Sequence, residues 1–196
     1  MGIAQPPDDV LAKILSSGET PRLMLHCCCA PCASYVLEYL SPVFDITLLY
    51  FNPNIKPREE YDKRAGECVK LLELTEYPNC IETIACDYEP SVFDAAATGL
   101  WDEPEGGLRC RVCFEIRLRE TAQRAHKGGF EYFATTLTVS PHKNADLINE
   151  IGAGLAGEYG SIYLPSDFKK RDGYKRSIEL SKRYGLYRQQ YCGCHP

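Results

Sequence analysis

The sequence has no apolar run approaching the ~18 residues of a membrane span. Its opening, Met-Gly-Ile-Ala-Gln-Pro-Pro-Asp-Asp, lacks the basic and apolar regions of a secretory signal. These two absences predict a cytoplasmic protein with no membrane partner. There is no internal repeat and no low-complexity tract. An excess of positive charge is missing too: the net charge is −5, which gives no global sign of a nucleic-acid partner. With 44% apolar and 25% charged residues in 196, the composition is that of an ordinary globular chain with one substantial core. Cysteine, by contrast, is abundant: there are eleven. Cytoplasmic proteins seldom hold disulfides, so this number points to metal binding or thiol chemistry.

Four of the eleven fall in His26-Cys27-Cys28-Cys29-Ala30-Pro31-Cys32. That stretch follows the apolar run Leu23-Met24-Leu25 and precedes a short helical segment from Ala33 to Leu40. Neighbouring cysteines at a strand-to-helix turn are poorly placed to pair with each other. They are well placed to offer thiolates to a metal, because helix N-terminal N–H groups favour the anionic sulfur. Cys110-x-x-Cys113 also opens a helical pattern and has chelating spacing. Cys192-Gly193-Cys194 has a glycine that lets both sulfurs face one point. Together these thiols exceed the need of one structural zinc, and an iron–sulfur cluster with a second metal nearby is the simplest reading. Cys68 falls on the apolar stripe Tyr61, Ala65, Cys68, Val69 and Leu72, which makes it core packing. Cys80 and Cys86 flank a strand and read as packing too. His26 reads as a structural hydrogen-bonder. Asp87, at a strand end, is a candidate oxygen ligand or the N-cap of a helix opening at Pro90.

The periodicity predicts strands at 22–27, 43–51, 80–86, 130–135 and 161–164. Helices are expected near 10–15, at 33–40, from Pro57, from Pro90, from Cys110 to the Gly128-Gly129 stop, from Ser140-Pro141, and over 174–184. Alternating strands and helices predict an α/β fold: a Rossmann-like, largely parallel sheet with helices on both faces. Ligands in such sheets bind beyond the carboxyl ends of the strands, where the unusual residues fall. From Lys169 to Arg188 the chain carries eight basic and two acidic residues, a candidate phosphate-binding segment or a solvated helix face.

The motifs also resemble a known family. His26, Cys28, Cys29, Ala30, Pro31 and Cys32 match the His-x-Cys-Cys-Ala-Pro-Cys pattern of the epoxyqueuosine reductase family QueH, with Cys27 in the variable position. Tyr50-x-Asn52-Pro53-Asn54, Glu60-Tyr61-x-x-Arg64 and the block from Glu103 to Phe114 match further motifs. So do Thr135-Thr136-Leu137 with Ser140-Pro141, Asp167-Phe168-Lys169, and the block from Tyr187 to Cys194. The resemblance implies a fold related to the adenine nucleotide α-hydrolases (HUP). It implies a 4Fe-4S cluster beside a mononuclear iron, and two-electron reduction of the epoxide of epoxyqueuosine in tRNA to queuosine. Candidate metal ligands are Cys28, Cys29, Cys32, Cys110, Cys113, Cys192, Cys194 and Asp87, with Cys29, Cys32 and Asp87 as candidate catalytic residues. Asn52, Asn54, Lys169, Arg188 and Gln189 are candidate substrate contacts. No Ser-Gly-Gly-x-Asp-Ser stretch follows the first strand, so ATP is not expected as a partner. The electron donor is not legible.

Two other classes compete. Cys29-Ala30-Pro31-Cys32 before a helix is what a thioredoxin-like dithiol oxidoreductase offers, but it leaves the other thiols unexplained. A zinc-stabilised RNA-binding module is the second. The whole chain, 1–196, is expected to form one domain. Its tail, 185–196, should fold back to the metal site, pinned by ligation, with Cys192 and Cys194 near Cys28 and Cys29.

Overall fold

The computed structural model describes residues 8–194. Five strands form one all-parallel sheet: β1 (Arg22–His26), β2 (Asp45–Tyr50), β3 (Ile81–Ala85), β4 (Tyr132–Thr135) and β5 (Ile162–Tyr163), in the order β3-β2-β1-β4-β5. The helices are α1 (Asp8–Ser17), α2 (Ala30–Leu40), α3 (Arg58–Glu73), α4 (Pro90–Ala96), α5 (Leu108–Lys127), α6 (Ala145–Tyr159) and α7 (Gly173–Arg183). None of them is long and apolar enough to cross a membrane. The Rossmann-like arrangement expected from the alternating pattern is present.

Strand side chains alternate between two cores, as the twofold period of a strand requires. Leu23, Leu25, Ile46, Leu48 and Ala134 enter a core shared with α2 and α3. Met24, Leu49 and Phe133 enter a second core with Leu118, Ala122 and Ile148 of α5 and α6. Central strands buried on both faces explain the continuous apolar runs. Helices α3 and α7 flank α2 on one face, and α5 packs on α6 on the other. Helix α7 comes very close: a Cβ at Gly173 would lie 1.9 Å from the Phe168 carbonyl oxygen and 2.4 Å from the Tyr35 ring. Only glycine fits there.

Several boundaries and surfaces differ from expectation. Helix α6 does not begin at Ser140-Pro141. Residues Thr136–Val139 form a 3-10 turn, and Asn144 caps α6, its Oδ1 accepting from the Leu147 N–H at 3.1 Å. Asn at this position is a strong cap, and it was missed because Ser-Pro has the same local chemistry. Val69 is 49% exposed, outside the stripe assigned to it. Cys80 is exposed, so it is not packing: β3 is an edge strand with a largely exposed pattern. Cys86 packs partly against the second core.

Candidate metal centre and substrate cavity

The first strand runs to neighbours on both sides, and the strand order reverses between β1 and β4. The two strands stay paired to their last residues, His26 and Thr135, and the switch point beyond them is where such sheets leave a crevice. Cys27–Cys32 leaves β1 into it, and Thr136–Lys143 leaves β4. The backbone at Cys29 is extended (φ −174°, ψ 158°) before α2 starts, with Pro31 in the first turn. This aims the thiols past the free N–H groups of a helix start.

The Sγ atoms of Cys28, Cys29 and Cys32 all lie within 4.8 Å of one another, with Cys28 and Cys29 at 3.8 Å. They are a group able to hold a metal. The backbone N–H of Cys28 donates to Thr136 Oγ1 at 3.1 Å, and the Thr136 hydroxyl in turn approaches Cys28 Sγ at 3.3 Å. Hydrogen bonds from the Cys29 and Cys32 thiols hold the Cys28 thiol well below its ordinary range, aided by the Lys143 ammonium. The same sharing pushes Cys29 up to about 12 and Cys32 well up. These thiols line a cavity of about 450 Å³, whose wall includes Asn54, Arg64, Arg117, Lys143, Arg188 and Gln189.

A second, much smaller cavity adjoins it, lined by Cys110, Cys113, Cys192 and Cys194. Helix α5 delivers the first two from its opening turn. Its N-cap is Gly107, where a Cβ would meet Glu103 Oε2 at 2.4 Å. The Gly106 N–H donates to Cys110 Sγ at 3.2 Å. Cys192 and Cys194 are 3.3 Å apart; the Cys194 thiol lowers Cys192 to about 5, while the Cys192 thiolate raises Cys194. Arg117, Lys143 and Cys192 line both cavities. Burial alone would depress the Lys143 ammonium, but the thiolate charge of Cys28 and its neighbours outweighs this and holds it up.

The tail reaches this place along α3. The Tyr187 N–H donates to Glu67 Oε2 at 2.7 Å, its hydroxyl to Glu60 Oε1 at 3.2 Å, and the Lys56 N–H to the Gly193 carbonyl at 3.0 Å. A Cβ at Gly193 would lie 3.0–3.2 Å from Ile55. These polypeptide contacts tie the tail to α3 through Tyr187 and to the segment before α3 through Gly193. Of its two thiols, only Cys192 shares the cavity of Cys28 and Cys29; Cys194 stands with Cys113, Phe93 and Ala97.

The remaining expected residues divide. Asn52 lines the larger cavity with its side chain already engaged: its Nδ2 donates to the Cys27 carbonyl at 2.9 Å, and Arg117 Nη1 approaches its Oδ1 at 3.4 Å. His26 is held at Nδ1 by Thr135 Oγ1 (2.9 Å) and at Nε2 by the Phe51 carbonyl (3.2 Å). Burial drops it to about 3, so it is neutral. Asn54, Arg188 and Gln189 line the larger cavity. Asp87 is exposed beyond the edge strand, lines neither cavity, and is not the cap of α4, which is Glu89. Lys169 is paired with Asp167 at 2.6 Å and lies outside both cavities. Arg117 and Lys143 line the site and were not singled out from sequence, and Arg64 was named only as part of a motif, with no role. Arg117 had a signal, standing one helical turn after Cys113, and its Nε donates to the Cys113 carbonyl at 3.1 Å.

A parallel α/β sheet with two adjoining thiol groups at its switch point, one of them able to hold a metal, defines a thiol-rich Rossmann-like protein. Comparison with known proteins gives the family. The family model described as "Epoxyqueuosine reductase QueH" matches residues 23–195. Epoxyqueuosine reductase QueH of Streptococcus pyogenes serotype M1 is 47% identical, covering 89% of this chain and 69% of the relative. The protein of that name from Staphylococcus epidermidis is also 47% identical, covering 95% and 82%. That from Thermotoga maritima is 36% identical, covering 88% of each. The chain belongs to the epoxyqueuosine reductase QueH family, and is an oxidoreductase.

Proposed function

We propose that this protein reduces the epoxide of epoxyqueuosine in tRNA, with the modified nucleoside entering the larger cavity. The observation that carries this is the meeting of two thiol groups across a wall shared by Arg117, Lys143 and Cys192. The donor set fits iron and sulfide: seven thiols, soft ligands, with Arg117 and Lys143 beside both groups to offset thiolate charge. Cys28, Cys29, Cys32, Cys110, Cys113, Cys192 and Cys194 would together hold a 4Fe-4S cluster and an adjacent iron. When bound, these supply single electrons and a Lewis-acidic position for the epoxide oxygen. Asp87 is left out of this set, being exposed and outside both cavities.

Converting the epoxide to an alkene takes two electrons and two protons and releases water. The chain's own residues supply the setting. Lys143 and Arg117 place positive charge where the opening epoxide becomes anionic, in a partly buried site where such charge acts strongly. Lys143 stands in the wall of both cavities as the candidate donor of a proton to the departing oxygen. Asn54 and Gln189 offer amide groups to the sugar or ring substituents. The turn after β1 is filled by cysteines and has no glycine-rich phosphate cradle, so the reading assigns ATP no role. The test is turnover. Oxygen-free, iron-loaded protein with a chemical reductant should convert tRNA-borne epoxyqueuosine to queuosine, seen by nucleoside mass analysis, without ATP. Fully loaded protein that leaves the epoxide intact would overturn the reading.

A further inference from the structure

Four buried side-chain atoms in the wall of the larger cavity have no hydrogen-bond partner among the described residues: Arg64 Nη2, Arg188 Nη1, Asn54 Oδ1 and Gln189 Oε1. Buried polar atoms are normally paired, so a group of orphans on residues that line one cavity marks where ligand atoms belong. We propose that Arg64 and Arg188 bind one backbone phosphate of the RNA strand beside the modified nucleoside. Asn54 and Gln189 accept hydrogen bonds from hydroxyl or amino groups of the same nucleotide. This rests on the reading that tRNA is the substrate.

The two arginines come from different elements and are held in the same way. Arg64, on α3, is 4% exposed; its Nε donates to Glu60 Oε1 at 2.7 Å, and its guanidinium lies 5.4 Å from the Tyr191 ring centre. Arg188, on the tail, lies 5.1 Å from the Tyr174 ring centre. Each planar cation lies over an aromatic ring and has an η nitrogen without a partner, and both residues line one cavity. That arrangement suits the oxygens of a phosphate better than a point charge does. Arg117 and Lys143 stand in the wall shared by both thiol groups and meet their charge there, whereas Arg64 and Arg188 line the larger cavity alone. Glu60 also offsets the charge of Arg64, so its free nitrogen acts as a directed donor. A simple anion would leave Asn54 Oδ1 and Gln189 Oε1 unpaired. A nucleotide, with phosphate and hydroxyls together, satisfies all four.

The experiment scans single uncharged methylphosphonate linkages through an anticodon stem-loop RNA bound to metal-loaded protein. One position should cost the wild type about tenfold in affinity, as expected for losing a charge-assisted hydrogen bond. Arg188→Gln should bind unmodified RNA about tenfold more weakly and show no further loss at that position. Its iron content should stay unchanged. Arg64→Lys should lose sensitivity at the same position; should it fail to fold, the Arg188→Gln arm decides alone. A full methylphosphonate penalty in Arg188→Gln would overturn the proposal, as would insensitivity of the two variants at different positions. Loss of iron in Arg188→Gln with unchanged RNA affinity would also overturn it, assigning the arginine to the thiols instead. Wild-type protein that binds no RNA would overturn the tRNA reading and this proposal together.

Discussion

The eleven cysteines are chemically alike in the sequence but differ sharply in their surroundings. Cys27 and Cys68 meet at 3.3 Å within the first core, away from both cavities. They act as small apolar side chains, and burial together with the Cys68 contact keeps the Cys27 thiol well up. Cys68→Ala should keep full iron content and cost about 1 kcal/mol of stability, read by denaturant unfolding of the loaded protein. Loss of iron in that variant would move Cys68 into the site. Glu60 gives a pH prediction. Burial works against its charge, but the ion pair with Arg64 outweighs this and holds the carboxyl below its ordinary value. A carboxyl lowered by folding contributes stability that is present above its unfolded pKa and lost as pH falls through its folded one. Wild-type protein should therefore lose more stability on acidification below the ordinary carboxylate range than Glu60→Gln does. Parallel acid-unfolding curves would contradict it. At this scale the sequence showed residue types and spacing but not partners. Asn52 reads as a substrate contact and does line the larger cavity, but its hydrogen bonds to Arg117 and the Cys27 carbonyl could not be read from the sequence. Asp87 reads as a ligand or a helix cap, and the structure leaves it exposed beyond the edge strand β3 with Glu89 as the cap. Both outcomes depend on contacts between elements far apart in the chain.

Among the elements, the tail and α7 carry separate consequences. The tail is tied to α3 through Glu60, Glu67 and Lys70, whose Nζ donates to the Gly185 carbonyl at 2.6 Å. Cys192→Ser with Cys194→Ser should then lose iron and turnover while residues 185–189 stay protected from protease, since the bonds to α3 remain. A tail that becomes wholly protease-labile would show that ligation alone held it. Helix α7 presents Lys175, Lys182 and Arg183 to solvent. Lys175 and Lys182 are two turns apart on one face, and Tyr174 at the helix start lines the larger cavity. If this face tracks RNA phosphates leading to the cavity, neutralising one lysine should flatten the salt dependence of tRNA binding by about one unit of slope. An unchanged slope would make the face merely solvated. Helices were legible where an apolar stripe and a stop signal coincide, as in α5 with Gly128. The start of α6 was not, because Ser140-Pro141 and Asn144 carry equivalent capping chemistry and only the 3-10 turn separates them.

For the whole molecule, strand order brings the chemistry together. The crossover between β1 and β4 sets the Cys27–Cys32 turn beside the loop carrying Thr136 and Lys143. Helix α5 adds Cys110, Cys113 and Arg117, and the tail closes the far side. The parallel sheet was legible because β1, β2 and β4 are apolar on both faces. The division of the thiols into two adjoining cavities was not, since it depends on how α5 and the tail pack against the sheet. The central claim is that these two groups form one metal centre holding more than a single cluster. The most direct test is iron and sulfide content per chain after oxygen-free reconstitution, in the wild type and in Cys110→Ala with Cys113→Ala. The account expects more than about four irons and about four sulfides in the wild type, with iron, colour and turnover lost together in the variant. Zinc as the only bound metal, or full iron content in the variant, would contradict it.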